Sequence, residues 1–451
     1  MVVNRRDVVF GAAPLIAGAA LVTSPDDVQA ASLNNTSLNL SEIGLAPSLK
    51  KDQTTLLQKA IDLAYEKKLR LSLPGGVYLS GPLTVRSGTH IEGVNGQTIL
   101  RFLGGAGFVR GEKVNGVTLE HLVIDGGSQG FVGDIADGLL SFRESSDVLI
   151  NHCEVKNSLK NGISLEGCSG AVRASKIQQC GVTGLYSIDA TGLEVTHNEV
   201  TDCGNNGVLI WRTKKGYDGS LVAQNRIERI KAEAGGTGQN GNGVNVFRAG
   251  NVVVSNNVIR SCVFSAVRNN AGDNVQILNN SCFDLGEVAL YAEFGFEGAV
   301  ISNNLVDKAH VGISITNFNE GGRLATASGN LIRNLQKRKG VAAIGIAVEA
   351  DSMVTGNVIE DVDGVGISIG FDKYVRQVTA NNNLVRKSSI GIGVSSHNEA
   401  GYVLIATNMI SGSSNGAIRA MDREKPYGPD LSKTSTESFL NLAVYGNVSL
   451  K

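Results

Sequence analysis

The sequence is short of the features that would place it quickly. Proline is 7 of 451 residues, tryptophan occurs once and aromatics make up 5%. With so little proline, the 56 glycines do not describe a Pro/Gly-rich disordered tract, and 42% apolar residues supply a sizeable core. The net charge is only −1, whereas a nucleic-acid coat needs a basic excess, so nucleic acid is not an expected partner. Six cysteines in so long a chain do not make a small disulfide scaffold. No Cys-x-x-Cys, His-Glu-x-x-His or Walker loop is spelled out, so neither a metal nor a cofactor is expected.

The N-terminus reads as an address. Asn4-Arg5-Arg6-Asp7 precedes an apolar, Gly/Ala-rich run to Val22, and Val28-Gln29-Ala30-Ala31 forms a small-residue cleavage site. The run is about 15 residues, short of the ~20 of a spanning helix. The paired arginines resemble a bacterial twin-arginine signal. The expected division is a signal peptide at 1–30, a linker at 31–51 and one domain at 52–451. The expected partner is the twin-arginine export machinery, and the location periplasmic or secreted, with no membrane attachment after cleavage.

What is abundant is a repeat. Asn-x-Val/Ile, a few polar residues, then Gly-Val/Ile-x-Val/Ile recurs with Asn at 198, 225, 257, 280, 304, 330, 357, 383 and 408. The Gly (or Ala) position falls at Gly138, Gly162, Gly184, Gly207, Gly243, Ala266, Ala289, Gly312, Gly345, Gly366, Gly391 and Gly416. Most steps are 21 to 25 residues, which gives about twelve rungs. Apolar residues alternate with period two, as in Gly312-Ile313-Ser314-Ile315-Thr316, so the units are strands. Each unit is too short for a crossover helix, so each strand must stack on its own copy in the next rung. The predicted fold is an all-β, single-stranded, right-handed parallel β-helix. The Asn column suits a tight turn: Asn tolerates the left-handed conformation, and its amide can bond to the copy one rung away.

Before the repeats, Leu56, Leu57, Ala60, Ile61 and Ala64 share one helical face, which predicts an amphipathic helix cap within 52–68 over the first open edge. Asp52 to Gly93, including Leu73-Pro74-Gly75-Gly76-Val77-Tyr78 and His90-Ile91-Glu92-Gly93, resembles the N-terminal cap of pectate-lyase-like right-handed β-helix proteins. Asn115 to Gly126 resembles their first regular rung. With the twin-arginine start, the chain resembles a bacterial family of twin-arginine-translocated β-helix-repeat proteins of unassigned function. The wider superfamily includes lyases, epimerases, hydrolases and phage tailspikes, so the resemblance implies a fold and not a reaction. The epimerase Asp-Pro-His-Asp and the polygalacturonase Gly-His-Gly are absent, and no catalytic residue carries over.

In the strand after each Gly, residues +1 and +3 are predicted to point inward, +2 and +4 outward, and +5 to begin the turn. The outward columns bring Tyr186, Asn245, Arg268 and Tyr291 beside Trp211, Phe247, Asn270 and Glu293, with Asp189, Arg212, Arg248 and Asn317 at +5. The Trp is thus predicted to face out. Aromatic faces stack on sugar rings, and guanidinium forks match carboxylates. Asn-to-Gly spacing is normally 8 or 9, but 18 between Asn225 and Gly243 and 15 between Asn330 and Gly345. The first of these insertions, Lys231–Asn240, is Gly-rich and expected to be mobile. A further insertion, Thr213–Ser220, follows Trp211. Loops on a rigid scaffold commonly carry function.

The expected ligand is an acidic, uronic-acid-containing polysaccharide, and the expected chemistry proton abstraction of lyase or epimerase type. Arg248 and Arg268 would neutralise the carboxylate, Tyr291 or His310 would move protons, and Glu293 would be a base or orient an arginine. Tyr186, Asp189, Trp211, Arg212, Asn245, Phe247, Asn270 and Asn317 would bind substrate. The alternatives are a non-catalytic glycan- or surface-binding solenoid, decorated with ordinary strand-surface residues, and a glycosidase using carboxylates among Asp189, Glu293 and Glu349. Cys180 and Cys203, four residues before Gly184 and Gly207, fit either a disulfide or an inward thiol stack.

Overall fold

The computed structural model describes residues 38, 40–47, 50–133, 137–436 and 439–450. The expected signal peptide and ten residues of the expected linker, 31–37, 39, 48 and 49, lie outside the described residues; the described part of the linker includes a 3-10 helix at Leu40–Ile43. From there the chain winds into a right-handed parallel β-helix of about 14 turns. The count exceeds the twelve expected because two turns, with first strands at Leu71–Ser72 and His90–Glu92, precede the turn that holds Gly138.

Most turns carry three strands, giving three faces; in Val358–Ile369 and Leu384–Ser395 the second and third run together as one strand. The first face stacks fifteen strands, from Leu71–Ser72 to Leu442–Tyr445. Inward residues stack on their own kind. On the third face Leu140, Ile163, Leu185, Val208, Val244, Val267, Leu290 and Ile313 are register partners in consecutive turns, and all are 0% exposed. This apolar column has no end of its own. The helix α1, Thr54–Lys67, covers the first turn with Leu57, Ala60, Ile61 and Ala64 buried, and left-handed Lys68 ends it. At the other end Ile418–Asp422 pairs antiparallel with Lys425–Asp430.

The asparagines are buried at the corner between the first and second faces. Each backbone N–H from Asn198 to Asn408 donates to the Oδ1 of the next ladder residue, at 2.9–3.0 Å, and the run closes at Asn447. Each Nδ2 also donates to a carbonyl of the preceding turn, as from Asn280 to Val254 O at 3.0 Å. The left-handed residue is the one before the ladder Asn, for example His197, Gln224, Asn256 and Asn279, which corrects the placing of both roles on one residue. The six cysteines are buried and free, and the Cys180 thiol, hydrogen-bonded to Cys203 and out of water, is held well above its ordinary pKa. No helix of the described residues is long and apolar enough to cross a membrane.

Candidate functional site

The third face assembles the predicted columns in register. Ser164, Tyr186, Leu209, Asn245, Arg268, Tyr291 and Ser314 are partners in successive turns. Beside them run Glu166, Ile188, Trp211, Phe247, Asn270 and Glu293. The +5 residues Asp189, Arg248, Phe294 and Asn317 have φ between 56° and 72°, so they turn the corner in the left-handed region. Arg212 does not, because its strand runs on to Tyr217.

Insertions wall this face. Thr213–Tyr217 is not a loop but the end of that 12-residue strand, Asn206–Tyr217. Lys215 reaches from it to Asp273 (2.8 Å) and the Gly295 carbonyl (2.5 Å). Asp189 accepts from the Thr213 N–H at 2.9 Å and from its hydroxyl, and Arg248 donates to Thr213 O at 3.2 Å. On the opposite edge the Gly-rich 231–241 segment folds over the face rather than away from it. The Gln239 carbonyl accepts from Asn206 (3.2 Å) and Asn245 (3.1 Å), and Gly238 O from Asn242 (2.8 Å). Gly238, at φ +131°, lies so close to Arg268 that a Cβ there would sit 1.6 Å from Nη1. Further along the same edge, Arg338 donates to Gly286 O, and Gln336 O contacts His310 Nδ1 at 3.1 Å.

The outward columns therefore differ in accessibility. Tyr186, Trp211 and Phe247 are half-buried and form an aromatic run with centroids 6.0 and 5.4 Å apart, and Arg248 lies 4.7 Å from the Phe247 ring. The Trp211 indole N–H is buried without a partner. Arg212 donates to Ala190 O at 3.1 Å. Under the 231–241 segment, Arg268 is 8% exposed and Glu293 3%. Arg268 Nε and Nη2 both approach Glu293 Oε1 at 2.5 Å, Asn270 donates to the same oxygen at 3.1 Å, and Arg268 Nη1 is buried with no partner. The Arg268 guanidinium lies 5.5 Å from the Tyr291 ring, and burial together with Glu293 pushes the Tyr291 hydroxyl up to about 12. Asn317 accepts from the Phe294 N–H at 3.2 Å, and Glu349 from Phe318 N at 2.6 Å.

Sequence reasoning passed over Glu287 and Arg338. Glu287 sits at the corner before Tyr291, and burial raises its carboxyl pKa against the opposing pull of Arg268, Arg338 and His310. Its signal was the insertion after Asn330, which carries Arg338. The stretch between the strands Val123–Asp125 and Gly138–Arg143, described at 126–133 and 137, also went unread. The sequence does contain Gly-x-Ser-x-Gly three times, at Gly126–Gly130, Gly366–Gly370 and Gly412–Gly416, but among the described residues none of them leads from a strand into a helix, so none makes a nucleophile elbow. Among the described residues no group of three or more His, Cys, Asp or Glu is placed to hold a metal.

Residues 83–227 match the family described as right handed beta helix region. No curated protein sequence matches the chain. Among solved structures, the catalytic unit of a GH87 α-1,3-glucanase from Streptomyces thermodiastaticus is 14% identical, with 92% of this chain and 69% of that one covered at a TM-score of 0.47. The A-module of the Azotobacter vinelandii mannuronan C-5 epimerase AlgE6 is 15% identical, with coverages of 91% and 99% and a TM-score of 0.40. PfbA, a surface adhesin of Streptococcus pneumoniae, is 13% identical, with coverages of 88% and 96% and a TM-score of 0.47. Likeness at this level does not extend to chemistry.

Proposed function

We propose that the protein is exported and binds an acidic, uronic-acid-containing polysaccharide along its third face, where it carries out proton abstraction of lyase or epimerase type. The observation that carries this reading is the unbroken run from Tyr186, Trp211 and Phe247 to the buried Arg268, walled on both edges. Aromatic rings offer stacking surfaces to sugars, and Arg268 Nη1 is a donor waiting for an acceptor. Removing the proton α to a carboxylate needs a base and a cation that holds the enolate. Glu287, with its raised pKa, or His310 takes that proton, and Arg268 faces the carboxylate. Tyr291, kept protonated by burial, donates a proton to the enolate or to the leaving oxygen. Return of a proton to the opposite side of the carbon inverts it, whereas loss of the neighbouring glycosidic oxygen leaves an alkene. Glu293, spent on Arg268 and Asn270, positions the arginine.

A non-catalytic glycan binder is the second reading. It is favoured by the cover that the 231–241 segment lays over Arg268, which leaves the aromatic run and Arg248 as the accessible part. The glycosidase alternative fits less well, because Asp189, Glu293 and Glu349 each already accept hydrogen bonds from the protein.

Incubation with a panel of uronans in heavy water, followed by proton NMR, tests the reading. Loss of the α-proton signal with a new alkene identifies a lyase, and loss without one an epimerase. Arg268→Lys should then abolish exchange with binding largely retained. If no uronan exchanges but binding persists and falls in Trp211→Ala, the binder reading replaces it. Export is tested separately: Arg5→Lys with Arg6→Lys should leave the protein in the cytoplasm.

A further inference from the structure

The outward columns do not stop at Tyr186. They continue back through Ser164 and Ser141 to Arg110, and through Glu166 and Arg143 to Glu112. These six residues, together with Thr84 and the Asp137 carboxylate, line a cavity of about 160 Å³. Arginine pairing sets Arg110 apart. Arg143 lies in register between Glu112 and Glu166 and binds Glu166 at 2.7 Å. Arg110 lies between Thr84 and Ser141, so no carboxylate waits one turn away. Among the described residues it makes no ion pair, and its Nε is buried without a partner. The Ser141 and Ser164 hydroxyls have no hydrogen-bond partner among the described residues either. A guanidinium nitrogen withdrawn from water and left unpaired carries a desolvation cost that an anionic ligand removes.

We propose that this cavity is a second subsite that takes one acidic sugar unit, with its carboxylate on Arg110 and its hydroxyls on Ser141, Ser164 and the Glu112 and Glu166 carboxylates. The proposal rests on the uronan reading above and deepens it. The volume holds on the order of ten waters, the room of one ring and not of a chain threading through. Donors and acceptors alternate around it, as a polyhydroxylated anion requires. Arg110 and Arg268 are six turns apart, which at ~4.8 Å per turn is about 29 Å. Only a long chain engages both ends, and its second contact is intramolecular, so affinity should climb with chain length.

The test is calorimetric titration of the folded protein with size-defined galacturonate and mannuronate oligomers of two to twelve units. The wild type should bind the longest oligomers at least about tenfold tighter than the shortest. Arg110→Gln should remove that gain and leave the shortest oligomers unaffected. Ser164→Leu, which takes up cavity space without removing a charge, should do the same, and circular dichroism with Trp211 emission checks that both variants fold. Equal affinity of wild type and both variants at every length would overturn the second subsite while leaving uronan binding intact. No binding of any oligomer by the folded wild type would overturn the uronan reading and this proposal with it.

Discussion

Replacing Glu293 by alanine removes the carboxylate that Arg268 binds. Two guanidinium nitrogens lose their partner at 2.5 Å, and the third has none to begin with. Side-chain exposures of 10% for Arg268 and 4% for Glu293 leave little water to compensate. Removing one member of a buried pair costs about 3–5 kcal/mol, against about 0.2–1 kcal/mol for an exposed pair. The Arg143–Glu166 pair supplies the control on the same face: its geometry is as good, at 2.7 Å, but its side chains are 46% and 48% exposed. Glu293→Ala should therefore lose about 3–5 kcal/mol and Glu166→Ala less than about 1 kcal/mol. Arg268→Met with Glu293→Leu should recover most of the loss, since apolar groups of similar volume replace such pairs at little cost. Urea unfolding followed by circular dichroism and by Trp211 emission measures all three, the Trp reporting from three turns away along the same column. If Glu293→Ala and Glu166→Ala cost the same, the pair is solvated and the 231–241 segment does not close over it in solution. The positioning role of Glu293 then fails.

The remaining predictions probe the cover, the ladder and the raised carboxyl. Gly238→Ala adds a Cβ 1.6 Å from Arg268 Nη1 at φ +131°; the segment should lift, and trypsin should cut after Lys231 several-fold faster than in wild type. Asn280→Ala removes the acceptor for Asn257 N and Nδ2 and the donor to Val254 O and Asn304, at a residue 1% exposed. It should cost about 2–4 kcal/mol in urea unfolding, and Asn447→Ala, at the exposed end of the ladder, less. Glu287 has a folded pKa above its unfolded one, so the folded state holds the proton longer and stability falls as pH rises through that interval. Glu287→Gln should thus be more stable than wild type at neutral pH, with the difference vanishing below the ordinary glutamate range. A constant difference across pH in thermal melts would refute the shift.

The fold was legible because period-two alternation and the Gly anchor fix strand register together. Once Gly207 and Gly243 are aligned, Trp211 must meet Phe247, and it does. The two turn roles were harder to separate. The left-handed site accepts His197, Gln224 or Asn256, since it asks only for a local φ. The ladder site asks one side chain to satisfy donors and acceptors from three successive turns, and from Asn198 onward only Asn fills it. The unvarying column was thus the buried one, and the conformational role belonged to its less uniform neighbour. The accessibility of the site was less legible still, because outward from the solenoid axis is not the same as outward to water. Arg268 stands on an outward column, yet it is buried by a segment that leaves the chain one turn earlier and bends down over it. Alternation places a side chain on a face. What covers that face depends on where a glycine-rich insertion closes, and the closest approach there, Gly238 on Arg268, joins residues thirty positions apart that no repeat relates.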